Sequence, residues 1–338
     1  MNSAISKSLL FFVVMTANFF KTSQPATFFL APLIVVITRL AFFGDVHFDH
    51  NHWYSTPLFQ KVFTWVLFAP WFEWLLATVI VIIQGFLFNA IINSRGLLER
   101  VSSSPLIAYM IMASFFAEQL FLSPALIANF FLLFAMKKVL EIPQQTNTRG
   151  KAFDAAFYVG IGSLFYAPAV CAIVMVIAGL AYFKSFVWRD HFVTLIGAAT
   201  PWLFYYAIIY ITGADWESPF KISDSVIHDI SLFQGATVIL AVELFLVLMI
   251  VLPSFFKSIR LNIVRVRKSY LLLLWWMILV LLSWYIFNVQ THQQLHLMVA
   301  PLAIMIANYF YYARIAWMRE SLFYILIALA LFNTWFVN

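Results

Sequence analysis

The sequence predicts an all-α protein, a polytopic bundle of about eleven transmembrane helices joined by short loops, from two observations. Of its 338 residues, 64% are hydrophobic and only 10% are Asp, Glu, Lys or Arg, against about half apolar and a quarter charged in a soluble domain. A water-soluble core has no use for that much apolar surface. The apolar residues also cluster in runs, and a bilayer core of about 30 Å asks for about twenty such residues per helix, or fewer where the membrane thins.

Eleven runs qualify: 26–43, 71–93, 105–119, 123–136, 153–166, 169–183, 192–211, 232–252, 271–287, 297–312 and 322–336. The third to sixth are short and pair into two hairpins that turn at Ser123-Pro124 and Ala167-Pro168. Each hairpin either spans or dips in and returns, and both options leave the flanking spans unchanged in direction. Residues 1–25 read as an N-terminal interfacial segment, because the apolar stretch 8–20 is short and no small-residue cleavage site follows it. Met15 is an alternative start within it. Residues 26–338 then form a single integral membrane domain, with no linker or low-complexity tract to divide them.

Basic residues orient the bundle, since insertion keeps Lys- and Arg-rich loops on the cytoplasmic side. With the N-terminus cytoplasmic, all but three of the twenty Lys and Arg fall inside; Lys61 and Lys221 fall outside and Arg39 lies within the first span. The same placement explains the net charge of +6 through lipid headgroups and topology, so no nucleic-acid partner is implied. Cys171 is the only cysteine, which rules out a disulfide framework or a thiolate cluster. No Gly-rich phosphate loop, nucleophile elbow or paired-histidine metalloprotease helix appears, which argues against ATP-driven transport by this chain alone.

The residues that carry chemistry gather at the external ends. The first external loop, GDVHFDHNHWYSTPLFQK, holds Asp45, His47, Asp49, His50 and His52 within eight residues. Imidazole and carboxylate are suitable donors for a divalent transition metal, so His47, His50, His52, His292 and His296 form the candidate metal set. The spacing matches no strict metal motif, and solvated loop residues or lipid-phosphate contacts account for it as well. Glu73 opens the second span and Glu118 closes the third, so with Asp45 they share one external mouth, where a carboxylate could act as general base or hold an ion against a diphosphate. Arg39 lies about one turn inside the first span, placed to meet a phosphate or to snorkel. Glu243, midway along its span, is the intramembrane polar residue; at about 2.5–3.5 kcal/mol for an isolated central charge it needs a protein partner or a proton.

Four stretches resemble a family of uncharacterised polytopic inner-membrane proteins of Bacteroidota: FFKTSQPATFFLAPLIVVITRL, QGFLFNAIIN, LSPALIANFFLLFAMKKVLEI, and FDAAFYVGIGSLFYAPAV with FVWRDHFVTLIGAATPW. They cover residues from Phe20 to about Tyr210, beyond which the likeness is mainly one of hydropathy. That resemblance implies a bacterial inner membrane and no particular chemistry. A second, architectural resemblance is to multi-span glycosyltransferases that take sugars from polyprenyl-phosphate carriers, which place one acid in the first external loop and another at the turn between the third and fourth spans. Asp45 and Asp49 occupy the first position and Glu118 the second, but a paired acidic motif at the start of the first loop and a large external C-terminal domain are missing.

This second resemblance implies an enzyme acting on a lipid-linked substrate at the periplasmic face. Asp45 and Glu118 would be catalytic, Arg39, Glu73 and Asp49 would bind substrate, and membrane lipids, a polyprenyl-phosphate carrier and other membrane proteins would be partners. The rival readings are a secondary transporter or flippase built around Glu243, and a non-catalytic subunit of a membrane complex.

Overall fold

The computed structural model describes residues 25–40, 58–59, 61–63, 70–144, 148–184, 187–213, 235–287, 292–313 and 316–336. Eleven α-helices of nine or more residues lie among them: α1 (Pro25–Leu40), α2 (Pro70–Arg95), α3 (Ser104–Met112), α4 (Pro124–Glu141), α5 (Thr148–Phe165), α6 (Ala172–Phe183), α7 (Trp188–Thr212), α8 (Gly235–Leu261), α9 (Val264–Phe287), α10 (Leu295–Tyr312) and α11 (Ala316–Phe336). Each expected run overlaps one of them. Five, α2 and α7 to α10, are long and apolar enough to cross a membrane, while 27–39 and 167–183 are shorter apolar helices.

The helices alternate in direction, and their contacts define two ends. At one end, Arg95 closing α2 meets Glu141 closing α4 at 3.0 Å, and Lys151 near the start of α5 meets the same carboxylate at 2.8 Å. Arg149 and Lys184 share Asp190 at the start of α7, at 2.7 and 3.1 Å, and Lys138 pairs with Asp154 at 2.8 Å. We call this the basic end. Partly exposed pairs of this kind contribute about 0–1 kcal/mol each, so they mark the interface more than they hold the fold.

The core is a helix sheathed by helices. In α10, sixteen of eighteen residues are buried, against α3, α4, α8 and α9. By contrast α7 turns Phe192, Leu195, Leu203, Phe204 and Ile208 outward, an apolar surface suited to lipid contact. Its inner stripe is made of small residues, which lets α5 and α7 close to backbone contact: a Cβ on Gly160 would stand 2.5 Å from the Ala198 carbonyl oxygen, and one on Gly197 2.7 Å from that of Phe153. Close approach through small residues is the usual basis of helix packing where no hydrophobic drive exists.

Several boundaries differ from the expected runs: α8 continues to Leu261 rather than 252, α9 starts at Val264 rather than 271 and α11 at Ala316 rather than 322, and two further differences have a contact that explains them. The third helix stops at Met112 rather than continuing to 119, because side chains from other helices take up the polar groups of the backbone that follows. The fifth begins at Thr148 rather than 153: its polar first turn is stabilised by the Arg149, Lys151 and Lys184 pairs, which hydropathy does not register.

Candidate functional site at the turn between α3 and α4

Nine residues make α3 about 13 Å long, half the reach of the eighteen-residue α4 beside it. The remaining distance is covered by residues 113–123, which hold only one short 3-10 turn, Ala117–Leu120. Ala113 to Phe116, Gln119, Leu120, Leu122 and Ser123 are all buried, so irregular backbone sits inside the bundle. In hydrocarbon each N–H and C=O of such a segment must find a protein partner or cost several kcal/mol.

Distant side chains supply the partners. The Arg39 guanidinium, fully buried at the end of α1, donates from Nη1 to Leu120 O at 3.0 Å and from Nη2 to Gln119 O at 2.9 Å and Ala113 O at 3.4 Å. Glu73 in the first turn of α2, 2% exposed, accepts from Leu122 N–H at 3.3 Å. Trp74 Nε1 donates to Arg39 O at 3.1 Å and so ties α1 to α2. From the far end of the chain, Asn333 Nδ2 in α11 donates to Phe115 O at 3.2 Å and to Glu243 Oε2 of α8 at 2.8 Å. Within the turn, Gln119 Oε1 accepts from Phe116 N–H at 3.4 Å, and Ser123 caps α4 by accepting from Leu126 N–H at 3.1 Å, with Pro124 at the first helical position.

The start of α10 closes the same site. A 3-10 turn, His292–Gln294, packs against Ala117–Leu120. Gln294 is fixed there: it accepts from Tyr166 Oη and donates to Ser283 Oγ, and to Val280 O at 3.3 Å. His296 follows, 1% exposed, in the first turn of α10 directly after this 3-10 turn. Neither Nδ1 nor Nε2 of His296 has a hydrogen-bond partner among the described residues, and the same is true of Ser114 Oγ, Gln119 Nε2 and Arg39 Nε. Buried polar atoms are nearly always paired, so five orphans around one turn single it out as the candidate site.

The sequence-predicted site residues divide accordingly. Arg39, Glu73 and Glu243 all reach this turn or a residue that bonds to it, and His296 follows the 3-10 turn that packs against it. Glu118 is the second residue of its 3-10 turn, and His292 opens the facing one; both side chains lie outside the described atoms. Asp45, His47, Asp49, His50 and His52 lie outside the described residues. Among the described residues no group of three or more His, Cys, Asp or Glu is placed to hold a metal ion. Charge-based reading of the sequence missed Asn333, Gln119 and Ser114. The signal was available as an amide or hydroxyl inside an apolar run, and the same signal marks a second buried network, in which Tyr109 Oη donates to Gln84 Oε1 at 2.8 Å and receives Asn129 Nδ2 at 2.9 Å.

Among the described residues, five helices long and apolar enough to cross a membrane mark a multi-pass membrane protein. The chain belongs to the family of unknown function DUF6427, whose model matches residues 58–337. The match includes the part beyond Tyr210, where the sequence reading found little more than shared hydropathy. A solved structure to which the chain is similar is that of ArnT from Cupriavidus metallidurans bound to undecaprenyl phosphate, at 12% identity and a TM-score of 0.49, over 90% of this chain and 60% of that one. No curated protein matches.

Proposed function

We propose that this chain is an enzyme of a bacterial inner membrane that uses a polyprenyl-phosphate-linked sugar at the end of the bundle opposite the basic one, on the periplasmic side. The observation that carries the reading is the meeting of α1, α2, the α3–α4 turn, α10 and the Glu243–Asn333 pair at one buried polar site with an unpartnered imidazole. A scaffold has no need of such a site. The backbone of the turn carrying Glu118 is bonded to Arg39 through the carbonyls of Gln119 and Leu120, which supports a positioned general base there. Arg39 spends its terminal nitrogens on three carbonyls, so its part is to hold the turn and supply positive potential where the carrier phosphate would lie. In the transfer, an acceptor hydroxyl forms the new bond to the sugar's anomeric carbon, the bond to the carrier phosphate breaks, and a carboxylate, Asp45 or Glu118, takes the hydroxyl proton. Histidines 47, 50, 52, 292 and 296 are the donors for a divalent ion if the donor is a diphosphate.

The purified chain in nanodiscs, offered a radiolabelled polyprenyl-phosphate sugar, is expected to release free carrier phosphate, and Asp45→Asn or Glu118→Gln to stop release without loss of folded protein. Unchanged release in both amide variants, or none from the wild type with any acceptor, would remove the reading. Release absent but Glu243-dependent uptake of a solute into vesicles would favour secondary transport instead, for which the buried Glu243–Asn333 contact at 2.8 Å is the supporting observation.

A further inference from the structure

A second site lies at the basic end and does not depend on the reading above. Between the last turns of α8 and the end of α10 is a cavity of about 470 Å³. One water occupies about 30 Å³, so this space is of ligand size. Beyond Pro253, Ser254, Lys257 and Ser258 of α8 and Asn262 just past its end form a polar stripe at helical spacing, all lining the cavity. Across from them stand Tyr312 of α10 and Glu99 of the link between α2 and α3.

The charges in this cavity are matched but separate. Among the described residues Lys257 has no carboxylate partner, and Glu99 accepts a hydrogen bond from Tyr312 Oη alone, at 3.4 Å. Two opposite charges that share a cavity and do not pair are complementary to a ligand bearing both. A phosphate suits the Lys257 ammonium with the Ser254 hydroxyl one turn before it, while Asn262 Nδ2 already donates to Ser258 O at 2.8 Å and Oγ at 2.9 Å; an ammonium, which only donates, suits Glu99. The walls supply the rest: Leu261 and Met318 line the cavity and are themselves open to the surrounding lipid, 78% and 40% exposed. A headgroup entering here keeps its acyl chains on apolar helix faces.

We propose that this cavity binds a phospholipid whose headgroup carries both a phosphate and a primary amine, with Lys257 holding the phosphate and Glu99 the ammonium. Basic pockets between membrane helices on this side bind anionic headgroups; here Glu99 adds the acceptor that an amine requires.

The full chain, purified and stripped of co-purifying lipid, is titrated in native mass spectrometry with phosphatidylethanolamine, with phosphatidylglycerol of the same acyl chains, and with water-soluble glycerophosphoethanolamine. One equivalent of phosphatidylethanolamine is expected to bind about tenfold more tightly than phosphatidylglycerol, the ratio that one added charge-assisted hydrogen bond supplies. Lys257→Met should weaken both lipids, and Glu99→Gln should bring phosphatidylethanolamine down to the level of phosphatidylglycerol. Equal binding of the two lipids, or a preference that survives Glu99→Gln, overturns the proposal; so does displacement by glycerophosphoethanolamine at equal concentration, which would make this a site for a soluble solute. A headgroup photoaffinity analogue on the wild-type chain needs no substitution: labelling of residues 253–262 supports the site, and labelling confined elsewhere removes it.

Discussion

The guanidinium of Arg39 and the carbonyl of Leu120 are eighty-one residues apart along the chain and 3.0 Å apart in space. That bond explains how α3 can stop at Met112 inside an apolar bundle. A helix satisfies its own backbone, and a chain that leaves the helix in hydrocarbon must borrow donors and acceptors from elsewhere. Here Arg39 lends donors, Glu73 lends an acceptor and Asn333 lends another donor. The polar residues of the candidate site are thus also what holds its shape.

Arg39→Met is expected to unfold the turn. It keeps side-chain length and removes every donor, leaving three buried carbonyls unpaired at about 1–3 kcal/mol each. The thermal midpoint in detergent should fall by many degrees, and Arg39→Lys should recover only part of the loss, since an ammonium lacks the planar fork. A Met variant that melts with the wild type would show that the turn stands without Arg39.

What was legible in the sequence follows from what is local. Eleven apolar runs and the basic residues at their ends are properties of short windows, and each run has its helix. The boundary of α3 was not legible, because the groups that end it come from positions 39, 73 and 333. Nothing within 105–119 announces that a helix should stop there. Of the site, the charged members stood out because a charge in an apolar run is rare, while Asn333 and Ser114 did not, since neutral polar side chains barely change hydropathy. Gln293 also illustrates the limit: it reads as a loop residue and is 1% exposed.

Gly160→Ala should separate α5 from α7. The new methyl would lie 2.5 Å from the Ala198 carbonyl oxygen and 2.9 Å from Pro201 Cγ, and neither belongs to a flexible chain end. Overpacking of this sort costs about 1–3 kcal/mol. Gly162→Ala, whose nearest contact is 3.3 Å, should cost less. Equal unfolding midpoints for the two variants would contradict this packing.

Orientation can be read by thiol labelling in a Cys171→Ser background. A cysteine at Arg265, exposed at the basic end, should resist an impermeant maleimide in intact cells and react once the membrane is opened. One at Asp224, in the connection between α7 and α8, should react without opening. Labelling of the 265 position in intact cells would reverse the assignment of every loop.

The contact between Glu243 and Asn333 separates two uses of a buried carboxylate. Asn333 Nδ2 serves two acceptors at once, Glu243 Oε2 at 2.8 Å and Phe115 O at 3.2 Å, so removing it strands both. Asn333→Leu is therefore expected to cost about 1–3 kcal/mol. Glu243→Gln should cost much less, because an amide oxygen still accepts the same bond and the change removes a charge that the apolar surroundings penalise. A double-mutant cycle with Glu243→Ala and Asn333→Leu should give a coupling near the upper part of the range for intramembrane hydrogen bonds, about 0.6–1.7 kcal/mol. If the pair is structural, the Gln variant keeps both stability and function. If the carboxylate must ionise in the working cycle, as a transporter's would, the Gln variant keeps stability and loses function. A Gln variant as unstable as Asn333→Leu fits neither use and would mean that the contact at 2.8 Å does not hold α8 to α11.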